Sequence, residues 1–306
     1  MGSQSNSNIM STWLKPIKSL FKQRQTNLTA DSDELQRFSD IGITSRRWWG
    51  TYQVEAGQSR FWRIGNVVIC VDRVTNEWHI ASCPVGKITD LPEEHEESHN
   101  FTIPFERLNF KTFTFHTQAE IELKPILANR PLASKLERPL YIPGGEDILL
   151  YVSSPVWVRV QTGNSQIILD EFPTFVLSDT WFGPNTREGE LCYAGHTHCS
   201  PHLKDIPSGP DRIISPMLIK NHANQPLKLE NISVPLPYLS VYSDADNFLW
   251  TEQLIVLREQ DSGPEVEVDK GPPKALEEIQ LLTSARIDIH TASSIKRFFI
   301  NNLAWD

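Results

Sequence analysis

Residues 156–172 read VWVRVQTGNSQIILDEF. Val156, Val158 and Val160 alternate with Trp157, Arg159 and Gln161, a period of two that belongs to a β-strand with one all-valine face on a core. Thr162-Gly163-Asn164-Ser165 supplies turn residues, and the run 166–169 returns, so the stretch predicts an antiparallel hairpin. The same texture extends outward. Strands are expected at 48–55, 61–71 and 77–83 as a meander with turns at Ala56-Gly57-Gln58 and Thr75-Asn76. Others are expected at 110–115, 120–123, 190–194, 212–221, 228–234 and 248–257. Strands that follow one another without helices between them point to a mainly β fold, an antiparallel β-sandwich or open barrel-like body. A short helix is expected at each end.

Four segments follow from this reading. Residues 1–28 are a basic amphipathic N-terminal segment, 41–125 a first β unit, 139–260 a second β unit, and 261–306 a surface segment and C-terminal helix. The Pro-containing stretch 124–139 is the expected boundary between the β units. Residues 261–274, with Gly263-Pro264 and Gly271-Pro272-Pro273, are expected to hold no regular element. The final helix, 291–305, places Ile295, Phe298, Phe299 and Leu303 on one face.

Composition narrows the function classes. The 306 residues include nine Trp and fourteen Phe, far more apolar bulk than a disordered chain carries, and enough for a sizeable core. A net charge of −9 argues against nucleic acid, which needs a basic face to displace counterions. The balance is uneven: 1–28 hold Lys15, Lys18, Lys22 and Arg24 without an acid, so the other 278 residues carry −13. Within residues 10–25, Trp13, Ile17, Leu20 and Phe21 fall on one helical face, with Pro16 tolerable only in a first turn. A cationic amphipathic helix of this kind lies on an anionic membrane surface, docks on a protein partner, or covers the body of its own chain. The longest apolar stretch, 148–158, is too short to span a membrane and is broken by Ser153, Ser154 and Pro155. Lys15, Pro16 and Lys18 interrupt any signal-peptide core, so the expected location is cytoplasmic. Four cysteines are too few for a disulfide framework. Cys70 and Cys83 would face each other across a turn at 76–77, although a reducing cytosol favours free thiols.

Three stretches carry residues suited to chemistry. His95-Glu96-Glu97-Ser98-His99 matches the zinc-protease pattern H-E-x-x-H, but its flanks, Glu93, Glu94 and Asn100, lack the apolar residues that bury such a metal. Between Cys192 and His202, five soft or borderline ligands fall in eleven residues: Cys192, His196, His198, Cys199 and His202. His196 and His198 would leave a strand on the same side. With Gly189 and Gly209 they are similar to the first cupin motif. The first spacing is one residue too long, however, His202 stands where a Glu is expected, and no second motif follows. The third stretch, SDTWFGPNTREGE at 178–190, brings Trp181 and Phe182 near Asp179, Arg187 and Glu190, the make-up of a binding loop or of a long turn anchored by its aromatics. Gly144-Gly145 has no phosphate-binding continuation, and no G-x-S-x-G elbow exists. No catalytic, cofactor-binding or metal residue is assigned from these signals.

The run SDTWFGPNTREGELCYA at 178–194, YIPGGEDILLYVSSPVWV at 141–158 and LWTEQLIVLRE at 249–259 resemble the prokaryotic domain-of-unknown-function family 432, over nearly the whole chain from Arg46 onward. The resemblance implies no activity, cofactor or site residue to carry over. It does imply genomic proximity to small-conductance-type mechanosensitive channels, which would give residues 10–25 a place at the inner membrane. The expectation is therefore a soluble, non-enzymatic partner-binding or regulatory β protein of the cytoplasm, peripheral at that membrane. Two alternatives stand beside it. One is a metal-dependent enzyme built on His196, His198 and His202; the other is a small-ligand or carbohydrate-binding sandwich using Trp181 and Phe182.

Overall fold

The computed structural model describes residues 47–85, 108–114, 120–183, 187, 189–195, 199–260 and 265–288, and within them the all-valine face of the 156–172 hairpin is fully buried. These residues fall in the unit Ile43–Asp306. The expected helices at 10–25 and 291–305 lie outside them.

The hairpin is formed by β9 (Trp157–Thr162) and β10 (Ile168–Pro173), in a sheet ordered β1 (Gly50–Gln53), β6 (Glu120–Ile126), β9, β10. A meander of β2 (Ser59–Ile64), β3 (Val67–Val74), β4 (Glu77–Pro84) and β5 (Lys111–Thr114) forms a second sheet. A third is ordered β11 (Ser178–Phe182), β12 (Glu190–Gly195), β7 (Leu132–Ile142), β15 (Leu227–Val234). The fourth runs β13 (Cys199–Ser200), β8 (Glu146–Pro155), β14 (Arg212–Asn221), β17 (Leu249–Trp250), β16 (Val241–Ser243), β20 (Gln280–Thr283). Beside β14 it also carries β18 (Gln253–Arg258), with β19 (Glu265–Asp269) beyond. The fold is mainly β, with most pairings antiparallel, and no sheet closes into a barrel among the described residues. One buried cluster runs from Trp48 to Val266 and draws on all four sheets. A smaller one, with Phe61, Val68, Cys70, Ala81, Cys83 and Leu108, covers the other face of the meander.

Several strand boundaries differ from the sequence reading, each for a local reason. The run 61–71 is two strands, because Gly65-Asn66 is a tight turn inside it. β3 is buried on both faces, so its apolar run hides the alternation that would have marked the break. Gly65 has φ +56°, and a Cβ there would collide with the Asp211 side chain, so glycine is required twice over. β1 pairs with β6 rather than joining the meander. The next turn falls at 75–76, so Cys70 opposes Ala81 and Val68 opposes Cys83, and the two are not joined in a disulfide. Residues 124–139 are no connector: the first three finish β6 and the last eight lie in β7. Pro139 is accommodated in β7 because residues 136–139 stand against Glu230 alone, a bulge where a missing N–H costs nothing in the ladder.

The expected strand 248–257 is broken in two by a proline on its neighbour. β14 is central and contains Pro216, which cannot donate to a ladder. β17 pairs with β14 at Ile213 and Ile214, β18 pairs from Met217 onward, and Thr251-Glu252 crosses the gap opposite Ser215-Pro216. The Thr251 hydroxyl donates to Ser215 Oγ there at 3.0 Å. These pairs, like β7 with β12, are parallel and depend on long crossovers. Residues 265–269, expected to be irregular, form β19, where Val266 and Val268 face the core between two Gly-Pro breaks.

Candidate functional site

The third sheet carries a cleft of about 720 Å³ on one face. Its concavity follows from one row of side chains. Ser178 on β11 opposes Ala194 on β12, Ala194 opposes Ala133 on β7, and Ala133 opposes Ser233 on β15. Directly opposed residues share a sheet face, so this row of small side chains leaves a trough lined by Ser178, Ala194 and Ala133, with Ser233 buried at its end. Thr180 and Phe182 continue the floor at one end, and the Lys135–Asn231 pair closes the other.

The wall is the segment that leads from β10 into β11. Thr174, buried, donates its hydroxyl to Val156 O at 2.6 Å, and its backbone N–H goes to the same oxygen at 3.2 Å. With that residue pinned, the next two are held outward: Phe175 is 48% exposed and Val176 81%. Trp181 borders the cleft and is 48% exposed, but its side chain alternates to the other face of β11. Its indole lies over Gly189, where a Cβ would be 2.5 Å from Nε1. The far side is formed by Pro155 and Arg212, opposed across β8 and β14. Beyond the cleft, on the opposite face of the sheet, Asp179 pairs with Arg130 at 2.8 Å and Arg130 lies over the Tyr193 ring.

At the Phe182 end sits Glu190, the cross-strand partner of Phe182. Burial pushes its carboxyl above the usual range. Next along the strand, burial and the Glu190 charge push the Cys192 thiol up to about 12, against a hydrogen bond with Ser233 that lowers it. Tyr238 is raised by burial and then by the same carboxylate.

Comparison with known families bears on the whole of this body. The model of "Protein of unknown function (DUF432)" matches residues 48–301. The chain belongs to that family. The comparisons with curated proteins and with solved structures find no match.

In this DUF432 member the residues singled out by sequence are dispersed. Of the 192–202 ligand cluster, Cys192 lies on β12 in the third sheet, whereas Cys199 lies on β13, opposite Val152 in the fourth. Burial pushes the Cys199 thiol up to about 12. His202 is exposed, its N–H donating to Ser200 Oγ at 3.1 Å ahead of a short 3-10 turn, Leu203–Asp205. His196 and His198 lie outside the described residues, as does His95 to His99. Among the described residues no three His, Cys, Asp or Glu groups form a set that could hold a metal ion. Nor is any helix there long and apolar enough to cross a membrane. The 178–190 stretch, read as one loop, contains an ordered strand, β11, and the start of its partner β12. Trp181 is a rim residue and Phe182 is mostly buried. Phe175, Val176, Lys135 and Arg212 were not singled out; the only sequence mark was an apolar triplet, Phe175-Val176-Leu177, stranded after Pro173-Thr174.

The raised Glu190 carboxyl gives a pH-dependent prediction. A raised folded value favours folding below the ordinary glutamate value near 4.5, and that contribution is lost as pH rises through the folded value. Glu190→Gln is therefore expected to melt above the wild type at about pH 8, with the gap closing toward about pH 4. Thermal melts across that range check it; a gap that does not change with pH contradicts the burial argument.

Proposed function

We propose that the chain is a non-enzymatic recognition protein that takes hold of a partner in the cleft of the third sheet. The observation that carries this reading is the pinned apolar wall. Phe175 and Val176 are held in water by the Thr174 contacts, which costs hydrophobic free energy of about 25 cal/mol per Å² unless something covers them. Beside them the cleft falls in the size range of ligand sites, with aromatic and polar groups converging on it. A Phe175→Ser, Val176→Ser double variant leaves the core untouched and is expected to lose partners that the wild type retains in quantitative affinity capture. An unchanged set of partners would count against the cleft.

Residues 10–25 supply the second part of the proposal, attachment to an anionic membrane surface near an inner-membrane partner such as a mechanosensitive channel. The excess of four positive charges in 1–28, on a chain otherwise at −13, supports this reading. Full-length protein is expected to sediment with anionic vesicles while protein lacking 1–28 stays in solution. Equal sedimentation would remove the membrane component and leave the cleft unaffected.

A further inference from the structure

We infer that the cleft takes an extended acidic peptide segment, one that places carboxylates and bulky apolar side chains side by side. The inference rests on the recognition reading above and goes beyond it in naming the chemistry of the partner.

Charge is the first argument. Both charged residues that line the cleft are cations, Lys135 at one end and Arg212 on the far side. Neither side chain has an ion pair or hydrogen bond among the described residues, although the chain is acidic and many of its other cations are paired, as in Lys111–Asp170, Arg130–Asp179 and Arg159–Glu171. Arg212 is half-buried, where an uncompensated guanidinium is costly and a carboxylate gains most.

Hydrogen-bonding capacity is the second. Ser178, Thr180 and Asn231 line the same cleft, and their side chains also make no hydrogen bond among the described residues. A peptide brings one N–H and one C=O per residue to meet them. An acyl chain would cover these hydroxyl and amide groups without replacing their water, at a cost for each. Phe175 and Val176 then receive the apolar side chains. Residues 29–306 carry −13 in all, so a pair of cations without acidic neighbours in the trough is a local exception that favours an acidic segment there.

Fluorescence anisotropy with the full chain tests this, using labelled peptides of about ten residues that alternate glutamate, glutamine or lysine with leucine and phenylalanine. The glutamate peptide is expected to bind about tenfold or more tightly than the glutamine one, and to weaken as salt rises. Lys135→Gln and Arg212→Gln should each reduce that preference. Lys135 is exposed, so Lys135→Glu carries the test even where an Arg212 variant folds poorly; it should shift preference toward the lysine peptide. Equal binding of the three peptides, or binding indifferent to both cations, would overturn the inference. So would cation-dependent binding of decanoate in place of the peptides, which would make the site one for small amphiphiles. A dimer that dissociates with the same substitutions would put a second copy in the cleft and overturn it too. If wall variants still lose partners while the peptides show no charge preference, only this inference falls; if neither responds, the recognition reading falls with it.

Discussion

Asn221→Ala is expected to lower the unfolding free energy by about 2–4 kcal/mol. Asn221 is fully buried at the end of β14, and its Nδ2 group donates to the carbonyl oxygens of Ile142, Pro143 and Gln225, each at 3.0 Å. Its two hydrogens serve three acceptors, so one contact is shared. Arg258, also buried, approaches Asn221 Oδ1 at 3.5 Å and donates through the same Nη1 to Gln225 O and Pro226 O at 3.2 Å. The amide thus ties the β7–β8 turn to the β14–β15 connection and to the end of β18. Alanine removes the donors and leaves the carbonyls in place, where unmade hydrogen bonds cost more than made ones gain. Urea unfolding measures the loss; a change under about 1 kcal/mol would show that water replaces the amide.

Trp48→Ala is expected to cost about 3–5 kcal/mol, the range for emptying a large aromatic site in a core. Trp48 is buried just ahead of β1, edge-on to Trp49 with ring centroids 5.7 Å apart, and its Nε1 donates to Pro210 O at 2.8 Å. Tyr52 in turn donates its hydroxyl to Trp48 O at 2.8 Å. Trp48→Phe separates the two contributions, because it keeps most of the apolar volume while losing the bond to Pro210, and it is expected to cost less than the alanine change, about 1–2 kcal/mol. The same urea titration reads both variants. Equal losses for Phe and Ala would place the whole effect in the hydrogen bond rather than in packing. Pro210 lies two residues before Arg212, so this tryptophan also supports the strand end that forms the far side of the cleft.

What could be read from the sequence was local and periodic. The valine face of β9 was legible because one side of the strand is buried and the other is not. β14 was legible to the residue, since ten consecutive residues between turns leave little choice. What was hidden depended on distant partners. The β17–β18 break answers Pro216, some 35 residues earlier in the chain and on another strand. β19 was masked by its Gly-Pro neighbours. β3 concealed its own beginning because both of its faces are covered.

The cleft was hidden for the same reason. Ser178, Ala194, Ala133 and Ser233 become a row only through the register of four strands, one pairing of which is parallel. Lys135 and Arg212, 77 positions apart, share the cleft because β7 and β14 lie in different sheets that meet there. Trp181 and Phe182 were noticed by residue type, but their division into rim and floor follows from the strand alternation of β11. The conspicuous histidine and cysteine spacing, by contrast, divides Cys192 and Cys199 between two sheets.

Site-specific photo-crosslinking in living cells reads out whether the partner is held at the cleft wall. A photoreactive phenylalanine analogue at position 176, on the cleft wall, is compared with one at Ile168, also well exposed, at 50%, but on the β9–β10 hairpin. A discrete adduct with one partner is expected from position 176, weakened by Lys135→Gln and absent from position 168. The same adducts from both positions, or adducts from 168 alone, would contradict the assignment of the cleft as the recognition site.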